Sequence, residues 1–166
     1  ILGSQTLGKT KITNLLDSED VLNTVKAMKK LGSNIKKVKK SYIVYGIPPG
    51  GLFNPKSKLD FGNSGTGIRL IAGLISSNNI KAVLIGDRSL SSRPMKRVTE
   101  HLKKIGSIFI LKRNNFLPMK IIGSPNPIPL NYNITIPSAQ IKSSIMLSGL
   151  NTLGKIKIKE YASTRD

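Results

Sequence analysis

The sequence predicts an α/β domain in which one large strand-and-helix unit recurs, and three observations point that way. Apolar residues repeat at helical spacing in segments that alternate with short strand-like runs. The string KKLGS at Lys29 returns as KKIGS at Lys103, a spacing of 74 residues. A second pair, GTGIRLIAGLISS from Gly65 and SAQIKSSIMLSGL from Ser138, falls in phase with it. Solenoid repeats run at roughly 20 to 50 residues, so a longer period indicates a larger unit duplicated within one domain. The unit reads βαβαββ, present once nearly whole and a second time in part.

In chain order, Ser18 caps a helix through SEDVLNTVKAMKKLG. Glu19 and Asp20 favour its positive end, Val21, Val25, Met28 and Leu31 form its apolar stripe, and Gly32 stops it. NIKKVKK and SYIVYG then read as a hairpin. The mostly apolar helix from Gly65 leads to a strand, IKAVLIG. From Arg93 a helix carries Val98, Leu102 and Ile105 to Gly106, and SIFILK and PMKIIG make the second strand pair. The helix from Ser138 leads to the strand KIKIKEYA. GIPPGG and SPNPIP are turn connectors, because periodic elements resume directly after each.

Composition narrows the function. The chain has no cysteine, which excludes disulfides, thiolate nucleophiles and Cys-based zinc sites, and its single histidine, His101, cannot build a His-rich metal site. No apolar run approaches the roughly 18 residues that cross a bilayer, and the start lacks the layout of a signal peptide, so a soluble cytoplasmic protein is expected. Both ends read as cut, and a piece of a longer protein is expected. The net charge of +19 raises nucleic-acid or membrane binding. The lysines are scattered, with local clusters at Lys36–Lys40 and Lys155–Lys159 in a chain rich in Ile and Asn, which reads as a compositional background. Attraction of a small polyanion and a nucleic-acid surface stand as alternatives.

Three helix starts share one character: GNSGTGIR at Gly62, SLSSRPMKR at Ser89 and PSAQIKSS at Pro137. Each offers glycine or small hydroxyl residues, then a cation in the first turn or so. Free backbone N–H groups and the positive end of the dipole suit anions at such places. Singly, each is an ordinary cap; together, in phase with a repeat, they suggest one shared polyanion site. The first is not a P-loop, since no GKS or GKT closes it. His101 lies on the helix of the Ser-rich motif without an acidic partner in a hydrolase pattern, and reads as a helix-surface residue.

The segments LDFGNSGTGIRLIAG from Leu59, GDRSLSSRPMKRV from Gly86, SAQIKSSIMLSGLN from Ser138 and the terminal STRD resemble, in order, successive landmarks of the 5-enolpyruvylshikimate-3-phosphate synthase family. The opening KITNLLDSEDVLNTVKAMKKLG resembles the stretch after that family's first motif. The resemblance implies the enolpyruvyl transferase fold, two domains of three βαβαββ units each. This chain would supply about two units of the first. It also implies a reaction, transfer of the enolpyruvyl group of phosphoenolpyruvate to the 5-hydroxyl of shikimate 3-phosphate. No metal or organic cofactor takes part. The partners are these two small molecules, not nucleic acid or membrane, and the full-length protein is expected to be a monomer.

By the same resemblance, Gly65 looks like the glycine whose backbone lies against phosphoenolpyruvate, and Arg93 like the arginine that pairs with it. Ser138, Ala139 and Gln140 resemble the group that contacts shikimate 3-phosphate, with Gln140 near both substrates. Arg165 resembles an arginine that helps hold shikimate 3-phosphate. Asn63, Thr66 and Arg69 belong to the signature and are expected to shape the loop, with Lys142 and Arg97 as supporting charges. The acid/base residues are expected outside the chain, upstream in a DKS motif and downstream in a second domain. Glyphosate sensitivity is a further expectation, through the open space at Gly65. A sister family, the UDP-N-acetylglucosamine enolpyruvyl transferases, fits less well, because its loop matching GDRSLSSRP usually holds a cysteine. A basic nucleic-acid module also fits less well, because no aromatic pair is set out for stacking bases.

Overall fold

The computed structural model describes residues 1–134 and 137–161. The elements run β1 (Lys9–Thr13), α1 (Glu19–Lys30), β2 (Asn34–Val38), β3 (Ser41–Tyr45), β4 (Leu59–Asp60), α2 (Gly65–Ser76) and β5 (Lys81–Ile85). They continue with α3 (Arg88–Ser91), α4 (Lys96–Lys103), β6 (Ile108–Lys112), β7 (Phe116–Ile122), β8 (Asn131–Ile134), α5 (Ala139–Ser148) and β9 (Lys157–Glu160). Three sheets form, in the orders β1-β3-β2, β4-β5-β7-β6 and β8-β9.

These sheets display the repeat. In the second, β4 runs parallel to β5, and β7 lies antiparallel between β5 and β6. The first sheet reproduces its β5-β7-β6 portion as β1-β3-β2, and the third reproduces its parallel β4-β5 portion as β8-β9. The chain thus holds the last four elements of one unit, the whole of a second, and the first three of a third. The sequence reading divided it as one unit and a part. The difference arises at β1, β4 and β8, whose residues KTKIT, LD and NYNI are too polar or too short to announce themselves as strands. A faint sequence echo exists: TLGKTKI at 6–12 returns as TLGKIKI at 152–158, each just after a 3₁₀ turn, at Leu2–Gln5 and Gly149–Asn151.

The helices form where their ends are satisfied. Ser18 Oγ accepts from the backbone N–H of Val21 at 3.4 Å, and Ser64 Oγ accepts from that of Gly67 at 3.1 Å. At the far end of α1, Gly32 takes a φ of +107°. That turn lets Ser33 N–H reach the Met28 carbonyl and Gly32 N–H the Lys29 carbonyl, both at 3.0 Å. Gly106, 74 residues on, has a φ of +101°, and its N–H reaches the Lys103 carbonyl at 3.1 Å, while the Ser107 hydroxyl donates to the Leu102 carbonyl at 2.8 Å.

α2 is apolar on nearly every side, and Ile68, Ile71, Ala72, Leu74 and Ile75 are all fully buried. It lies in the middle of the molecule, with α5 against it in parallel, so their N-termini point to one end. Three cross-links fix that alignment: Gln140 to Thr66, Ser144 to the Arg69 carbonyl, and Asn151 to the Ser77 carbonyl. The two backbones approach so closely at Gly73 that a Cβ there would run into the Ser144 carbonyl.

Three details depart from the sequence reading. The helix expected from Arg93 starts at Lys96, and Arg88–Ser91 form a separate short helix capped by Asp87 Oδ1, which accepts from Leu90 N–H at 2.7 Å. Pro94 sits in the break, where the following N–H groups turn to Asn115: Met95 donates to its carbonyl at 2.8 Å and Lys96 to its side chain at 3.0 Å. In the α1 stripe, Met28 and Leu31 are buried, but Val21 and Val25 are half-buried. They face an open apolar groove of about 290 Å³ between α1, β3 and α2, rather than a closed core. His101, expected on the surface, turns its ring edge-on to Tyr132 with centroids 6.0 Å apart, and the Tyr132 hydroxyl donates to its carbonyl at 3.3 Å.

Two outcomes follow. Gly73→Ala should cost about 1–3 kcal/mol by forcing α2 from α5, read as a lowered urea midpoint. Burial, with Lys104 adding to it and Glu100 opposing, lowers the His101 pKa from 6.5. A depressed histidine pKa favours the fold above its unfolded value and loses that contribution as pH falls through the folded one. The protein should therefore lose thermal stability below about pH 6.5 more steeply than His101→Gln, in matched melts between pH 5 and 8.

Candidate functional site

The parallel packing of α2 and α5 brings most of the predicted site residues to one end of the molecule. Gly65 is the first residue of α2 and is buried. Two guanidinium groups close over it: a Cβ built there would stand 3.0 Å from Arg69 Nη1 and 3.1 Å from Arg93 Nη1. Only glycine leaves this space without displacing them.

Each arginine is held from behind. Arg93 is exposed on the segment between α3 and α4, and its Nη2 donates to Asn63 Oδ1 at 2.8 Å and to Ser89 Oγ at 3.4 Å. Arg69, half-buried one turn into α2, donates through Nη1 to the Gly65 carbonyl and to Gln140 Oε1, both at 3.0 Å. Its Nη2 reaches the Pro94 carbonyl at 3.5 Å. Gln140 completes the arrangement by donating from Nε2 to Thr66 Oγ1 at 3.0 Å. The signature residues Asn63, Thr66 and Arg69, expected to shape a loop, are thus the groups that fix Arg93 and Gln140 in place.

Electrostatically the site is a concentration of positive charge. Burial, and then the neighbouring Arg93 charge, lower the Arg69 pKa from its ordinary value, which leaves it fully charged at neutral pH. Neither arginine makes an ion pair among the described residues. The N-terminus of α2 adds its partial charge, although the Gly65 N–H donates to the Asn63 carbonyl at 2.9 Å and the Gly67 N–H to Ser64 Oγ. Two guanidiniums beside a helix start can take a phosphate or carboxylate without further rearrangement.

Ser138 and Ala139 lie one and two residues before Gln140. Ser138 caps α5, its Oγ accepting from the Ile141 N–H at 3.4 Å, and Ala139 is the first helical residue. Lys142, expected as a supporting charge, is 3.0 Å from Glu160 and ties α5 to β9. Arg97 is exposed at the second position of α4. The α4 terminus differs from the sequence expectation of an open anion site, because Asn115 takes its first N–H groups. Arg165 lies outside the described residues. What sequence reasoning missed was Asn115 and the reach of Arg69 to Gln140, both long-range contacts with no local signal beyond the spacing of Gly65 and Arg69, which is right for neighbours on a helix.

Among the described residues no cluster of His, Asp or Glu could hold a metal ion, and no helix is long and apolar enough to cross a membrane.

Residues 1–165 match the family model of EPSP synthase (3-phosphoshikimate 1-carboxyvinyltransferase). The 3-phosphoshikimate 1-carboxyvinyltransferase of Ruegeria sp. (strain TM1040) is 43% identical over 167 residues, which are 100% of this chain and 37% of that protein. The protein of the same name from Rhodospirillum rubrum is 42% identical over 171 residues, 100% of this chain and 38% of its own length. The chain therefore spans well under half the length of the curated relatives it matches. In structure, EPSP synthase from Acinetobacter baumannii superposes with a TM-score of 0.93 at 35% identity, over 99% of this chain and 37% of that one. The three-unit repeat, the arginine pair over Gly65 and a family match from end to end have a single reading: the chain belongs to the EPSP synthase family.

Proposed function

We propose that the protein containing this chain transfers the enolpyruvyl group of phosphoenolpyruvate to the 5-hydroxyl of shikimate 3-phosphate. The hydroxyl oxygen adds to C2 of phosphoenolpyruvate while a proton is added at C3, giving a tetrahedral adduct. Loss of that adduct's phosphate with a proton from C3 regenerates the vinyl ether. The observation that carries this reading is the closure of Arg69 and Arg93 over the bare backbone of Gly65, beside Gln140.

In this reading the chain supplies binding and electrostatics. Arg93 and the α2 terminus neutralise the phosphate of phosphoenolpyruvate, and the missing Cβ of Gly65 admits it. Gln140 stands where both substrates meet, and Ser138 and Ala139 present the α5 start to shikimate 3-phosphate, together with Arg165. Bringing two polyanions into contact is opposed by their repulsion, so fixed cations lower the barrier as well as improving binding. The proton donors and acceptors lie in the rest of the protein, which works without a cofactor, as a soluble cytoplasmic monomer.

The test is phosphate release from both substrates by the full-length protein. We expect turnover there and none from the 166-residue chain alone; an inactive full-length protein, or a fully active short chain, would refute the proposal. Gly65→Ala should fold with little loss, because the groups it meets are the ends of flexible side chains. It should raise the KM for phosphoenolpyruvate about tenfold, a cost of about 1.4 kcal/mol, and weaken inhibition by glyphosate at least as much.

A further inference from the structure

The substrate-facing groups named so far come from three separate segments: the α2 start, the link between α3 and α4, and the α5 start. One side chain touches all three. Arg69 donates to the Gly65 carbonyl in the first, to the Pro94 carbonyl next to Arg93 in the second, and to Gln140 Oε1 in the third. Its own carbonyl accepts from Ser144 Oγ at 2.8 Å, so its backbone is bound to α5 as well.

The bond to Gln140 has a directional effect. A free glutamine amide can present either its oxygen or its nitrogen to a ligand. Here the oxygen is occupied by a cation, and the nitrogen is turned to Thr66 Oγ1 at 3.0 Å with one N–H left over. Because Thr66 Oγ1 accepts that bond, its own O–H is free to donate. The flipped amide would set its NH₂ group against the Arg69 guanidinium, donor against donor. The orientation held by Arg69 therefore directs the amide oxygen to the cation and leaves the second amide N–H and the Thr66 O–H as donors for an anion.

We infer that Arg69 is a positioning residue: it locks Gln140 in the orientation that donates to the anionic substrate and fixes the peptide that carries Arg93. The inference rests on the proposed reaction. Lysine preserves the charge but cannot bond three acceptors on three segments from one planar fork. Arg69→Lys should thus lose the locking while keeping the field.

The experiment is a double-mutant cycle in the full-length protein with Arg69→Lys and Thr66→Val, which remove the two bonds that hold the Gln140 amide. Each single variant should raise the KM for phosphoenolpyruvate about tenfold with kcat changed less than threefold. The double variant should fall well short of the hundredfold product, because either loss alone frees the same amide. Multiplicative effects, or an Arg69→Lys protein with unaltered KM, would overturn the inference. Should Arg69→Lys fail to fold, Gln140→Glu decides. A carboxylate there keeps the bond to Arg69 and loses the donor, so phosphoenolpyruvate binding should fall more than tenfold while the melting temperature holds; binding unchanged in that variant would refute the role. Should the wild type show no transfer at all, the proposed function fails on its own, and the same cycle read by calorimetry with phosphoenolpyruvate still tests Arg69.

Discussion

The rest of the structure depends on the close parallel contact between α2 and α5. It is possible because Gly73 presents no side chain to the Ser144 backbone, and it helps bury all of α2 from Ile71 to Ser76. Two helices in parallel place like dipole ends together, an arrangement that costs electrostatic energy. Here the apolar contact and the Gln140, Ser144 and Asn151 cross-links offset that cost. The result is a positive end with few internal anions, in a chain whose 27 Lys and Arg face only 8 Asp and Glu.

That end is arranged in tiers. Nearest the open side stand Arg93 and the first peptides of α2. Behind them Asn63, Ser89, Arg69 and Thr66 fix direction, and behind those Ser144 ties α2 to α5. The first two tiers belong to the second copy of the repeat and Ser144 to the third, so duplication did more than enlarge the core. A Gln from the third unit meets an Arg and a Thr from the second only because the units stack in register.

Much of this was legible in the sequence. The spacing of 74 between Lys29 and Lys103 exposed the repeat, and the stripes of α1 and α4 and the apolar run of α2 placed three helices, with Ser18 as the cap of the first. The family signatures drew attention to Gly65, Arg93 and Gln140. What stayed hidden was of two kinds. β4 has two residues, and β1 is five residues long with a single strongly apolar one and none fully buried, so neither stands out without its partner strands. The second kind is contact across the fold. Asn115 looks like an ordinary turn residue until the turn meets α4, and the separation of Gln140 from Arg69 is 71 residues. His101, expected on the helix surface, is half-buried for a similar reason, because Tyr132 arrives from β8.

Asn115 leads further than its role as a cap. The segment that carries Arg93 is anchored at its start by Asp87, at its middle by Arg69 and at its end by Asn115. A loop free to move would have to be immobilised each time a ligand arrived, at roughly 1–2 kcal/mol for every residue ordered. In this molecule that entropy is surrendered once, during folding. Substitutions in the turn between β6 and β7, a hairpin that holds none of the proposed substrate-facing residues, should for that reason register as changes in ligand affinity.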